Sequence, residues 1–234
     1  MMDEMLTTLA AGLPELGLEL PEQTQKTLCD FGCAVVKQNE VMNLTAITAP
    51  DQVAKLHLLD SLSVLKAADL SGKRVIDVGC GAGFPGVPLK IACPGMKLTL
   101  LDSLGTRMNW LERVLPGLGV DAQCVTARAE EAVTCRREQY DFATSRAVAR
   151  LNILLELTAP YVKVGGKVLA MKGSAGMEEL QEAASAISKL GLKLEKVAQF
   201  PVEDGNHCVI VLKKVKPTPT QYPRRYAKIK QSPL

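Results

Sequence analysis

The chain predicts an α/β fold with a mostly parallel sheet, and three observations lead there. Seven short apolar runs lie beyond residue 70, helix-like segments separate most of them, and a glycine-rich loop follows the first run and opens a helix. Strands alternating with helices imply a parallel sheet covered on both faces. The last two runs, "KLEKVAQFPV" and "HCVIVLKK", are bridged only by "EDGN", which predicts a C-terminal antiparallel hairpin.

Residues 1–70 read as a helical extension. In "PEQTQKTLCDFGCAVVKQNEV" the residues Leu28, Phe31, Val35 and Val36 share one face at a 3.6-residue period. Pro21 suits a first-turn position, and Glu22 is favourable near the positive end of the helix. A break at "NLTAITAPD" precedes a second amphipathic helix, "QVAKLHLLDSLSVLKAA", with Val53, Leu56, Leu59, Leu62 and Leu65 as its apolar stripe. From 71 to 215 the runs "RVIDVG", "MKLTLLD", "AQCVTA", "YDFATSRA" and "GGKVLAMKG" precede the hairpin. The helices between them are "FPGVPLKIAC", "SLGTRMNWLERVLPGLG", "RAEEAVTCRREQ" and "LNILLELTAPYVK". Residues 216–234 form a basic tail.

Composition sets limits. The chain is 47% hydrophobic and 23% charged, which argues against wholesale disorder. The N-terminus carries acids where a signal peptide carries lysines, and no apolar run approaches the ~18 residues of a membrane span, so a cytoplasmic protein is expected. Seven scattered cysteines without a C-x-x-C pair read as free thiols, and two histidines leave little for a metal site. Charge is uneven. Up to Gly72 ten acids face four bases, whereas from Lys213 onward there are seven bases and no acid. Such a tail, with Tyr222 and Tyr226 among its arginines, suits either a phosphate-rich partner or simple solubility.

The loop in "VIDVGCGAGFPG" brings backbone close to a ligand, because its glycines tolerate φ > 0. Gly81-Ala-Gly83-Phe-Pro-Gly86 fits a dinucleotide fingerprint, while Asp77 with Gly79, Gly81 and Gly83 fits an S-adenosylmethionine loop. Asp102, about twenty residues on, would hold ribose hydroxyls in either case. Three features lean toward S-adenosylmethionine. Pro85 removes an N–H that a pyrophosphate would use. Arg128-Ala129-Glu130 after the third strand is placed to border an adenine, and too little chain follows the sheet for a dehydrogenase's substrate domain.

The segments "NLTAIT", "LHLLDSL", "VIDVGCGAGFPGVPLKI", "LLDSLGTRMNWLE", "ARAEE", "SRAVARLNILLEL" and "YPRRYAKIKQSPL", in this order, resemble the bacterial 16S ribosomal RNA guanine-N7 methyltransferases, the glucose-inhibited division protein B family. The resemblance implies a class I (Rossmann-like) methyltransferase: a seven-stranded mostly parallel sheet, the antiparallel hairpin and the helical extension. It implies S-adenosylmethionine as cofactor and the small ribosomal subunit as partner. Carried over, the cofactor contacts fall on Gly79, Phe84, Ala129, Glu130 and Arg146, with Asp102 and Ser103 at the second strand's end.

No general base stands out, and guanine N7 needs none, because its lone pair is unprotonated at neutral pH. Arg128, Arg146 and Asn43 are the residues nearest to a catalytic assignment, although Asn43 also suits a helix-ending turn. Arg107, Arg128, Lys172, Arg224 and Arg225 are the expected RNA contacts. A monomer is expected, and tail deletion is expected to weaken RNA binding while leaving cofactor affinity little changed. Trp110 reads as core, and with only 4% aromatic residues recognition should lean on charge.

Overall fold

A computed structural model describes residues 1–202 and 205–234, and side chains outside 201–206. Part of the expected "EDGN" bridge, Glu203 and Asp204, lies outside the described residues. Seven strands form one sheet in the order β3-β2-β1-β4-β5-β7-β6. They are β1 (Arg74–Val78), β2 (Lys97–Asp102), β3 (Ala122–Thr126), β4 (Tyr140–Arg146), β5 (Val162–Lys172), β6 (Leu192–Val202) and β7 (Gly205–Lys214). The first five pair in parallel, and β7 pairs antiparallel with both β5 and β6. The order reverses at β1, so the loops after β1 and β4 flank the switch point where ligands bind in such sheets.

One face is covered by the N-terminal helices α1 (Met2–Gly12) and α2 (Glu22–Met42), the run 50–67, α6 (Gly86–Ala92) and α7 (Gly105–Val114). Leu28, Phe31 and Val35 of α2 are fully buried, the stripe its periodicity predicts. The 50–67 run differs from expectation. It comprises α3 (Pro50–Val53), a π-helical stretch (Ala54–Leu59), α4 (Asp60–Leu62) and α5 (Val64–Ala67). A wider turn shifts the buried stripe, so Val53, Leu58 and Leu62 are buried while Leu56, Leu59 and Leu65 are only half-buried. The same shift buries His57 and Asp60.

The opposite face is packed by α8 (Ala129–Ala132), α9 (Leu151–Thr158), α10 (Gly176–Glu182) and α11 (Ala184–Lys189). The last two have no counterpart in the sequence reading. Their inward positions are largely small, with Ala183 and Ala186 fully buried, and alanine contributes little to an apolar periodicity. The tail also folds, ending in α12 (Tyr226–Gln231) with Ile229 fully buried.

The loop after β1 is held from beneath. Gly79 N and Cys80 N donate to Leu101 O at 2.7 and 3.2 Å, and Gly86 N donates to Asp77 Oδ2 at 2.8 Å. A Cβ at Gly86 would come within 2.8 Å of both Asp77 Oδ2 and Leu100 Cδ2. Gly86→Ala should therefore destabilise the protein by about 1–3 kcal/mol through overpacking. Urea unfolding checks this, and an unchanged midpoint would show that α6 shifts at no cost.

Candidate functional site

Two adjoining depressions open at the carboxyl ends of β1, β2 and β4. The first, about 290 Å³, is lined by Gly79, Asp102, Ser103, Leu104, Arg107, Arg128, Ala129 and Glu130, with Val148 and Tyr226. The second, about 610 Å³, is lined by Ile47, Leu56, His57, Asp60, Arg146, Val148, Met171, Lys172, Glu179 and His207. Ala147 and Val148 belong to both. Ala147 takes a left-handed φ of 54°, a strained conformation for a side chain with a Cβ. Val148 lies over the loop so closely that a Cβ on Gly79 would sit 2.5 Å from its Cγ2.

Positive φ angles at Gly79 (71°), Gly81 (56°) and Gly83 (98°) turn the loop back across the strand ends. Asp102 braces it: Oδ2 accepts from Gly81 N at 3.0 Å and Oδ1 from Leu104 N at 2.9 Å. Each oxygen keeps a second lone pair for a ligand hydroxyl. Asp77 does not line either depression. It is fully buried beneath the loop, where burial raises its pKa to about 7 against the opposing pull of the Gly86 N–H. Its Oδ1 has no hydrogen-bond partner among the described residues.

Phe84 turns inward, 5% exposed, between the Phe31 ring at 5.2 Å and the His57 ring, stacked at 4.6 Å. The Arg146 guanidinium covers the same ring at 5.1 Å. Arg146 Nη1 donates to Leu56 O at 2.8 Å and Asp60 Oδ2 at 2.9 Å, and Nη2 donates to His57 Nδ1 at 3.1 Å. His57 Nε2 lies 2.8 Å from Thr45 Oγ1, while Nδ1 lies between the Arg146 guanidinium and Leu56 O, the latter at 3.1 Å. Burial, then the Arg146 charge, lowers the His57 pKa to about 4. Burial favours protonation of Asp60, but bonds from His207 and Arg146 outweigh it and hold the carboxyl below its usual range. His207 Nδ1 meets Asp60 Oδ1 at 2.8 Å, and that bond raises the His207 pKa.

His57 therefore destabilises the fold in acid. Its folded pKa, about 4, lies below the unfolded 6.5, so the unfolded chain binds the proton better. The stability is fully present above pH 6.5 and is lost as pH falls toward 4. Between pH 7.5 and 4.5 the native chain should lose roughly 2 kcal/mol more than His57→Gln. Equal losses in urea titrations at the two pH values would contradict the neutral assignment.

Two of the expected RNA contacts, Lys172 and Arg224, are paired within the fold. Lys172 is turned inward onto Ala149 O and Glu179 Oε2, the latter at 2.8 Å, so its charge is compensated within the fold. Arg224 forms a forked pair with Glu156, at 2.8 and 2.6 Å, and Glu156 is fully buried. Lys214, one of the seven C-terminal bases, is also buried, and this lowers its pKa to about 8. Asn43 ends α2 with a φ of 47°, exposed and outside both depressions, while the Asn39 side chain accepts the next turn's N–H groups. Arg128 and Arg225 are exposed, and Trp110 is buried beside Phe31. His57, Asp60 and His207 were not among the expected site residues, and Tyr226 was expected only as part of the basic tail. A histidine and an aspartate three residues apart on an apolar helical face were the available signal.

Among the described residues no group of three His, Cys, Asp or Glu side chains is placed to hold a metal ion, and no helix is long and apolar enough to cross a membrane. The sheet and loop resemble solved methyltransferases of distant sequence. The M. jannaschii protein TYW2 in complex with AdoMet superposes with TM-score 0.54 at 14% identity, over 67% of this chain and 77% of that one. A SAM-dependent methyltransferase from Aquifex aeolicus gives 0.52 at 18%, over 69% and 92%. Closer similarity is found in sequence. "Ribosomal RNA small subunit methyltransferase G" of Alkaliphilus metalliredigens is 43% identical over 232 residues, 97% of each chain. The protein of the same name from Clostridium botulinum is 38% identical over 237 residues, 99% of each. The profile of rRNA small subunit methyltransferase G, GidB, matches residues 24–208. With a profile match across most of its length and full-length relatives at this identity, the chain belongs to the rRNA small subunit methyltransferase G (GidB) family.

Proposed function

We propose that the chain transfers a methyl group from S-adenosylmethionine to N7 of one guanine in 16S ribosomal RNA, acting as a cytoplasmic monomer on the small ribosomal subunit. The observation that carries this reading is the pair of depressions meeting at Ala147 and Val148, one beside the glycine loop and one beside Arg146. The residues fit the cofactor. Gly79 lines the loop depression with no side chain to fill it, Gly81 and Gly83 turn the backbone beneath without lining it, and Asp102 has lone pairs left at its edge.

In this reading Gly79, Gly81, Gly83, Asp102, Ser103, Ala129 and Glu130 hold the nucleoside, and Arg146 faces the amino-acid end. Asp77 acts from beneath by fixing Gly86, and Phe84 acts by carrying His57 and Arg146 on its faces. When bound, the cofactor supplies an electrophilic methyl group on a sulfonium. The protein does not have to remove a proton from N7, so base catalysis is not required. Its work is to orient the base and exclude water. Neutral His57 and the Asp60–Arg146 pair form a rigid, charge-compensated wall for that purpose. Residues 71–215 carry the chemistry, residues 1–70 supply the His57 wall, and exposed Arg128 and Arg225, with half-buried Arg107, meet RNA phosphates.

The test is transfer from tritiated S-adenosylmethionine to small subunits lacking the modification, followed by borohydride–aniline cleavage. One cleavage site in 16S RNA is expected. Label in transfer RNA or protein, with none in 16S RNA, would overturn the substrate assignment.

A further inference from the structure

The C-terminal segment is built into the molecule in a way its charge does not explain. Val215 N and Lys216 N donate to Gly191 O, and Thr218 Oγ1 donates to Leu190 O. Glu138 accepts from Thr218 N at 2.9 Å, and Arg137 reaches the Thr218 and Tyr222 carbonyls. Glu156 accepts three bonds from Arg224, two from its guanidinium and one from its backbone N–H. Ile229 then anchors α12 in the interior. A solubilising tail would need none of this, and an RNA arm would not turn Arg224 away from solvent.

These fastenings bring Tyr226 to the depression that holds Gly79, Asp102, Ala129 and Glu130. They also form a second hollow, about 580 Å³, between Arg128, Glu130 and Glu131 on one side and 223–227 on the other. Arg128, Glu130 and Tyr226 are common to both, so the tail continues the wall of the loop depression outward. Asp102, an acid at the end of the second strand, marks this as the ribose side. Beyond it, Leu104, Val148, Leu157 and Tyr226 supply the apolar and aromatic surface that a purine ring needs.

We propose that Tyr226 is a cofactor-binding residue that closes the adenosine end of the pocket, and that the Arg224–Glu156 clasp holds it there. This rests on the methyltransferase reading, and it reverses the sequence expectation that the tail leaves cofactor affinity untouched.

Calorimetric titration of the full-length protein with S-adenosylhomocysteine, without RNA, tests it. Tyr226→Ala should weaken binding about tenfold, the worth of one aromatic contact, and Tyr226→Phe should stay within twofold. Glu156→Gln, which loosens the clasp from outside the pocket, should weaken binding in the same direction, with near-ultraviolet circular dichroism showing the core intact. Wild-type affinity in Tyr226→Ala would overturn the proposal while leaving the methyltransferase reading in place. Absence of binding by the wild-type chain would overturn both.

Discussion

Arg146→Ala is expected to abolish methyl transfer and to lower stability by about 3–5 kcal/mol, the range for breaking a buried ion pair from one side. The guanidinium contacts four groups at once: Asp60, the Leu56 carbonyl, His57 Nδ1 and the Phe84 ring. Without it the Asp60 carboxylate, 3% exposed, keeps the His207 Nδ1 contact at 2.8 Å but loses its arginine. The carboxyl pKa should then rise, and the variant should regain some stability as pH falls and Asp60 takes up a proton. Arg146→Lys restores the charge but not the fork, so it should recover part of the stability and little of the activity. Urea midpoints from pH 5 to 8, measured beside methyl transfer, decide this. A variant that unfolds at the wild-type midpoint would show that the network carries no net stability.

Gly79→Arg should remove cofactor binding, with affinity reduced more than a hundredfold, and leave most of the fold in place. Two costs coincide at this position. A left-handed φ of 71° costs a residue with a Cβ about 1–2 kcal/mol, and the new Cβ would lie 2.5 Å from Val148 Cγ2. Val148 lines both depressions, so a shift that makes room for the new side chain disturbs them. Gly81→Ala is the informative contrast. Its φ is also left-handed, yet a Cβ there would have Arg107 Nη1 at 3.9 Å as its nearest neighbour. It should cost about 1 kcal/mol in stability and much less in affinity. Calorimetry on the two variants separates strain from obstruction. Equal affinities would mean that the depression beside Gly79 is not where the cofactor binds.

The strands were legible because each is a short apolar run between glycines or charges, and the hairpin because so few residues join its arms. The turn of the loop was legible for a related reason, since backbone that must pass through positive φ draws glycine, as at Gly79, Gly81 and Gly83. The π-helical stretch was not legible. A one-residue widening leaves composition unchanged but exchanges Leu58 for Leu56 and Leu59 on the inner face. His57 and Asp60 were lost to view with it, because their significance comes from Arg146, eighty-nine and eighty-six residues away. The internal pairing of Lys172 and Arg224 was hidden for the converse reason. A lone cation in a sequence does not disclose a buried carboxylate such as Glu156 waiting for it across the fold.

The position of β7 between β5 and β6 governs when this protein can fold during its own synthesis. β6 leaves the ribosome first, yet its sheet neighbour is β7, the last strand made. Until Lys214 emerges, β6 presents an open row of backbone donors and acceptors, the kind of edge that recruits other chains. The first helices need not wait, because α1 packs against α2, α3 and the π-helical stretch, all made early. The nascent chain nevertheless holds the edges of β5 and β6 unpaired until the end of translation. Holdase chaperones should therefore occupy them until the final strand is released, and a message truncated before that strand should yield only material for degradation.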